Sequence, residues 1–326
     1  MRGHRHAGTH LAALATLWTL AACAARPPTV QRSLSTEHEV ASAGRSSAGV
    51  PGVIVMAHGG DEGWNASVEA AVAPLRGRLP VEIAFGMADP NTLEAALGRL
   101  AAEGVTRAAV VRLFVSGESF LHSTEYLLGL RSDPPRVAMI GHKMVDGSTV
   151  DPIATDLELL LAREGLAGSD EVAEIVTERA AGAGTPPAGT GVVMIGHGMG
   201  DEGKNRRVLA RMEQTAGHLH DLGYAEVEVA TLREDWPEAR AASEERIRRV
   251  VARMNASWDT VVVIPYRVSG FGPYAQVLEG LEYLATEGLL PHPRISDWIE
   301  AQALEHLGEG STGVGSHNQP KVGSKR

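Results

Sequence analysis

Two histidines and a glutamate have the types and spacing for coordination chemistry. His58 closes the apolar run GVIVMA and is followed by Gly59, Gly60, Asp61 and Glu62. His122 follows the run AAVVRLFV and the polar loop Ser116, Gly117, Glu118 and Ser119, with Glu125 three residues beyond it. Residues three apart share a helix face, so His122 and Glu125 are expected on one side of a helix beginning there. Neutral imidazoles with a carboxylate nearby suit a borderline divalent cation. The spacing alone leaves a plainer reading open, in which His58 caps a loop and His122 caps a helix. The acidic pair Asp61 and Glu62 is read either as a lure for a cation or as a solvated loop.

Composition narrows the chemistry further. Cys23 is the one cysteine, against 13 histidines, so a thiolate zinc site, an iron–sulfur cluster and a disulfide scaffold are excluded within one chain. Any metal must be held by imidazole and oxygen. A net charge of −10 and an aromatic content of 4% argue against a nucleic-acid partner, which needs basic patches and stacking platforms. The glycines around His58 and His197 lack dinucleotide or P-loop spacing, so no organic cofactor is expected. His58-Gly59-Gly60 also resembles the oxyanion loop of α/β-hydrolases, but no G-x-S-x-G elbow accompanies it.

The elements that must position these residues read as α/β. Runs at 53–57, 81–87, 108–115 and 137–140 are apolar without alternation, the pattern of strands buried on both faces of a parallel sheet. Helical periods lie between them, with Asp89 and Pro90 as a helix start and Gly104 as its stop. Ligands of such sheets bind beyond the carboxyl ends of the strands, where His58 falls.

The pattern then recurs. GVVMIGHGMGDEGKN at 191–205 repeats GVIVMAHGGDEGWN at 52–65, with His197 in the place of His58. Val268-Ser269-Gly270 repeats Val115-Ser116-Gly117, and we align His292 to Asp297 with Asp151 to Asp156. Strands at 192–195, 227–232 and 260–264 and helices over 205–222 and 237–255 complete the second half. Tyr274 and Gln276 occupy the neighbourhood of His122 there, so one metal site per chain is expected, with His197 as a loop cap, a substrate contact or a remnant of the duplication. His142, His218, His220 and His306 are read as surface or packing residues, and His292 as a helix start.

The ends carry other signals. Arg2 and Arg5 precede a 15-residue apolar stretch, 11–25, too short to span a membrane comfortably and containing the box Leu20-Ala21-Ala22-Cys23. This reads as a lipoprotein leader over 1–22, with Cys23 lipidated and 23–50 a Pro-, Ser- and Ala-rich tether; the alternatives are a plain signal peptide, or a mis-assigned start with a buried cysteine in a cytoplasmic chain. An N-terminal lobe over 51–167, a linker over 168–189, a C-terminal lobe over 190–306 and a disordered tail over 307–326 follow. The expected product is exported, membrane-anchored on the periplasmic side, and a pseudo-symmetric monomer.

The run of a strand, His-Gly-Gly, an Asn-headed helix, then Leu-Phe-Val-Ser-Gly with His and Glu three apart, resembles the class II chelatases. It is most similar to the sirohydrochlorin cobalto-, nickel- and ferrochelatases in their long, two-repeat form. The resemblance implies two tandem flavodoxin-like lobes, each a mainly parallel sheet of about four strands flanked by helices, with a tetrapyrrole cleft between them. It implies that His58 and His122 hold Co, Ni or Fe as a divalent substrate, with Glu125 as the catalytic carboxylate and Gly59, Gly60, Ser116, Gly117 and His197 contacting the macrocycle. The exported leader sits uneasily with a cytoplasmic pathway. The alternative expectation is therefore an exported metal- or tetrapyrrole-binding lipoprotein without turnover.

Overall fold

A computed structural model describes residues 49–308. The leader, Cys23 and the tail beyond Gly308 lie outside the described residues. No described helix is long and apolar enough to cross a membrane.

The first half runs β1 (Pro51–Ala57), α1 (Glu62–Arg76), β2 (Val81–Phe85), α2 (Pro90–Ala102), β3 (Arg107–Leu113), α3 (Leu121–Leu127), β4 (Val137–Ile140), β5 (Lys143–Asp146), β6 (Glu158–Leu161) and α4 (Asp170–Gly182). The second runs β7 (Thr190–Gly196), α5 (Glu202–Asp221), β8 (Glu226–Thr231), α6 (Pro237–Ser257), β9 (Thr260–Tyr266), α7 (Tyr274–Val277), β10 (Leu284–Ala285) and α8 (Pro293–Leu307). Two parallel four-stranded sheets result, ordered β2-β1-β3-β6 and β10-β9-β7-β8. Read from the same end, the orders match, so the duplication is real at the level of topology. In each sheet the chain leaves the first strand on one side and returns on the other, which places a topological switch point between β1 and β3 and another between β7 and β9.

Strand residues alternate between two cores because side chains alternate across a sheet. Val53, Val55 and Ala57 of β1 face a core shared with Val192 and Met194 of β7. Ile54 and Met56 face an outer core with α2 and α3, while Val193 and Ile195 face another with α6. Helices α1, α4, α5 and α8 fill the shared layer between the sheets.

Four expectations need correction. The segment read as a linker, 168–189, contains helix α4, capped by Ser169, whose Oγ accepts the Val172 N–H at 3.3 Å. Its Val172, Ile175 and Val176 recur at helical spacing and are fully buried, a signal masked by the Gly- and Pro-rich stretch after it. Helix α8, assigned to the C-terminal lobe, packs on β3 and α1 of the first half, while α4 packs on α5 and β9 of the second. Each half thus lends its last helix to the other. The run 137–140 does not join the parallel sheet but forms an antiparallel hairpin with β5, and the sheet's fourth strand is β6. Asp151 to Asp156 forms no helix, so its true counterpart is not the start of α8; Ser169 and His292, both N-caps, correspond instead.

Candidate functional site

The carboxyl ends of β1 and β3 are neighbours, Ala57 pairing with Leu113. His58 and the loop after β3 therefore share the switch point of the first sheet. The loop after β1 is fastened by Asn65: its Oδ1 accepts the Gly60 N–H at 2.9 Å, and its amide donates to the Gly60 carbonyl at 3.3 Å. Asp61 is the N-cap of α1, its carboxylate accepting the Trp64 N–H at 2.8 Å. The acidic pair is thereby explained in part by helix capping. Gly60 is structural, since a β-carbon there would stand 3.0 Å from the Trp64 ring.

His58 is exposed at this edge. Its Nδ1 lies 2.6 Å from the Gly59 carbonyl oxygen. That contact is a hydrogen bond only if Nδ1 carries the proton, which leaves the Nε2 lone pair facing outward. Among the described residues nothing hydrogen-bonds Nε2. Trp64 stands edge-on to the imidazole, ring centres 6.2 Å apart.

His122 and Glu125 do share one face of α3, as their spacing requires, and it is the face away from the helix's buried side. The buried face of α3 is Ser123, Thr124, Tyr126 and Leu127, so residues 122 and 125 are left for the opposite side. His122 Nε2 is 3.0 Å from the Asp133 carbonyl oxygen and 3.3 Å from its carboxylate. Glu125 is held by Arg131 at 3.3 Å and Arg163 at 2.8 Å. Arg131 also pairs with Asp133 at 2.9 Å, closing a surface network. No three metal-ligating side chains gather at one point among the described residues. The expected trio of His58, His122 and Glu125 is therefore not assembled.

The loop after β3 is built around Arg112, which belongs to none of the sequence motifs. Arg112 is fully buried in β3. Its guanidinium donates to the carbonyls of Ala162 (3.2 Å), Ser119 (2.8 Å), Gly117 (2.5 Å) and Arg163 (2.6 Å). Burial pushes its pKa down to about 10, against the pull of Glu125 and Glu164. A lone arginine inside an apolar strand run was the available signal. Gly117 is required for close approach, because a β-carbon would come within 2.8 Å of the Arg163 carbonyl. Ser116 Oγ accepts the Glu118 N–H at 3.2 Å. Both residues shape the loop through these contacts.

The second half repeats the first loop with different chemistry. His197 Nδ1 is 2.9 Å from the Gly198 carbonyl oxygen, and its Nε2 is 3.2 Å from the Asp235 carboxylate. Both ring nitrogens lie within hydrogen-bonding reach of protein oxygens, unlike Nε2 of His58. Asn205 again fastens the loop, accepting the Met199 N–H at 3.0 Å. Arg233, left-handed at φ 58°, donates its N–H to the His197 carbonyl, as Gly86 does for His58. A cleft of about 630 Å³ opens here between Gly200, Arg233, Trp236 and the first turns of α6. It lies beside His197, not His58. Tyr274 is buried under Arg267, whose guanidinium stands 5.6 Å from the ring centre.

No family model and no curated protein matches this sequence. Solved structures do. SirB from Bacillus subtilis, determined with Fe3+, is 14% identical, with 79% of this chain and 98% of that chain aligned at a TM-score of 0.56. CbiX, described as the terminal enzyme of siroheme biosynthesis in denitrifying bacteria, aligns over 77% of this chain and 96% of its own at 16% identity and a TM-score of 0.45. The multi-domain DR2241 from Deinococcus radiodurans aligns over 78% of this chain and 55% of its own, at 17% identity and a TM-score of 0.48. The likeness to SirB establishes the fold: two α/β lobes of the class II chelatase type.

Proposed function

We propose that this chain is a chelatase-like protein that inserts divalent Co, Ni or Fe into a sirohydrochlorin-type tetrapyrrole. The observation that carries the reading is His58, exposed at the β1/β3 switch point with Nδ1 committed to Gly59 and Nε2 open. Imidazole nitrogen holds such a cation weakly enough to surrender it, whereas a four-thiolate site would not. As the metal enters the ring, two pyrrole N–H protons leave, which keeps charge and atoms in balance. Glu125 is committed to Arg131 and Arg163, so the protons pass to solvent at this exposed edge. The likeness of the fold to SirB, solved with Fe3+, supports a metal-handling role for this edge.

The leader supports a second reading in the same site: an exported carrier, anchored through a lipidated Cys23, that binds metal or tetrapyrrole without turnover. Glu125's engagement by two arginines favours it, since it removes the carboxylate that turnover was expected to use. Incubating residues 24–326 with sirohydrochlorin and Co²⁺, Ni²⁺ or Fe²⁺ separates the two. Growth of the metallated spectrum, lost in His58→Ala, is the outcome expected of a chelatase. Tight binding with no metallation selects the carrier, and neither binding nor turnover overturns both. For the anchor, intact-mass analysis of the membrane fraction should show acylated Cys23 as the first residue; a soluble chain retaining Met1 refutes it.

A further inference from the structure

We propose that the second imidazole of the metal site is His142, carried by the β4–β5 hairpin, and not His122. This rests on His58 being a metal ligand. The hairpin tip is the turn Gly141-His142, with both residues left-handed at φ 54° and 62°. It is fastened to the first sheet by Asp89, which is buried between two tasks. One carboxylate oxygen of Asp89 accepts the Asn91 N–H at 2.9 Å and so caps α2, and the other accepts the Gly141 N–H at 2.5 Å. The fastening brings the tip against the loop after β1. A β-carbon placed on Gly59 would stand 3.4 Å from Cε1 of His142. Cε1 is the ring carbon between the two nitrogens, so the imidazole edge that binds metals lies against the residue next to His58.

The partner sets of the histidines point the same way. His122 spends Nε2 on Asp133 and His197 spends both nitrogens on Gly198 and Asp235. His142 is exposed, and no described residue hydrogen-bonds its ring. Histidine is among the side chains that tolerate the left-handed backbone of such a tip. The hairpin also has no counterpart in the second half, where α7 leads to β10 across only 278–283. The insertion thus supplies an imidazole to the half whose histidine has an open nitrogen. Water and the macrocycle's own nitrogens complete the coordination of a cation held by two imidazoles, as a substrate metal requires.

The test is calorimetric titration of the full chain with Co²⁺ alone, with the visible d–d spectrum as second readout. Wild type should bind one ion. His142→Asn, which tolerates the left-handed backbone, should weaken binding about tenfold or more and shift the spectrum while circular dichroism is unchanged. His142→Ala should agree with it. His122→Ala should bind as wild type. If His58→Ala loses the site but both His142 variants bind normally, His142 is no ligand and only this inference falls. If His122→Ala weakens binding and the His142 variants do not, the pairing with His122 is restored. If wild type binds no Co²⁺, the metal reading of His58 falls with it.

Discussion

Arg112 shows how one side chain decides the shape of a functional edge. Four carbonyls from two loops converge on it at the end of the first sheet, the bond to Ala162 buried and the other three part-buried. A buried acceptor left without its partner costs about 1–3 kcal/mol. Arg112→Met should therefore destabilise the protein by at least about 3 kcal/mol, read as a lower urea midpoint at an unchanged slope. A variant within experimental error of wild type would mean that the loops re-form their bonds with each other. The same scale separates His58 from His197. Both follow a strand and both bond the next carbonyl, yet Asp235 takes the Nε2 of His197. That one carboxylate, far from any motif, makes the two loops chemically unequal.

At the scale of elements, the exchange of α4 and α8 governs how the halves depend on each other. Trp298 of α8 is buried in the shared core, on a helix that packs against β3 and α1. Trp298→Ala should cost about 3–5 kcal/mol, as large-to-small changes of buried aromatics do. Because α8 covers the first sheet, amide exchange should rise in β1 and β3 before β7 and β9. Equal loss in both sheets would show that the covering is not local. Conversely α4 is tied into the second half by Tyr266, whose buried hydroxyl meets Thr215 at 3.0 Å and accepts the Gly168 N–H at 3.4 Å. Burial pushes that phenol up to about 12.

Across the whole molecule, the loop after β3 reaches the second half directly. Glu118 pairs with Arg207 and, at 3.6 Å, with Lys204 of α5, while Ser67 of α1 donates to Ser269 at 3.3 Å. The Arg207 hydrogen bond holds the Glu118 carboxyl below the ordinary glutamate range. A carboxyl whose native value is lowered stabilises the fold above its unfolded value, and that contribution is lost as pH falls through the native value. Wild type should thus be slightly more stable than Glu118→Gln at neutral pH, and their urea midpoints should converge in acid. A constant gap down to pH 3 would place the effect elsewhere than in this ion pair. Since both partners are partly exposed, the gap should also shrink at high salt.

Much of this architecture is written locally. Unbroken apolar runs, Asp and Ser caps, and a repeat of the His-Gly loop suffice to read two parallel α/β halves with histidines at their strand ends, because those signals act within a few residues. The spacing of His122 and Glu125 likewise puts them on one helix face. Which way that face points was decided by the burial of Ser123, Thr124, Tyr126 and Leu127 against the first sheet. The helix exchange, the β4–β5 hairpin and the approach of His142 to Gly59 were also decided only in the folded chain. They depend on contacts between residues far apart in sequence, for example Asp89 with Gly141, and no local period records which distant partner a buried face or carboxylate will meet.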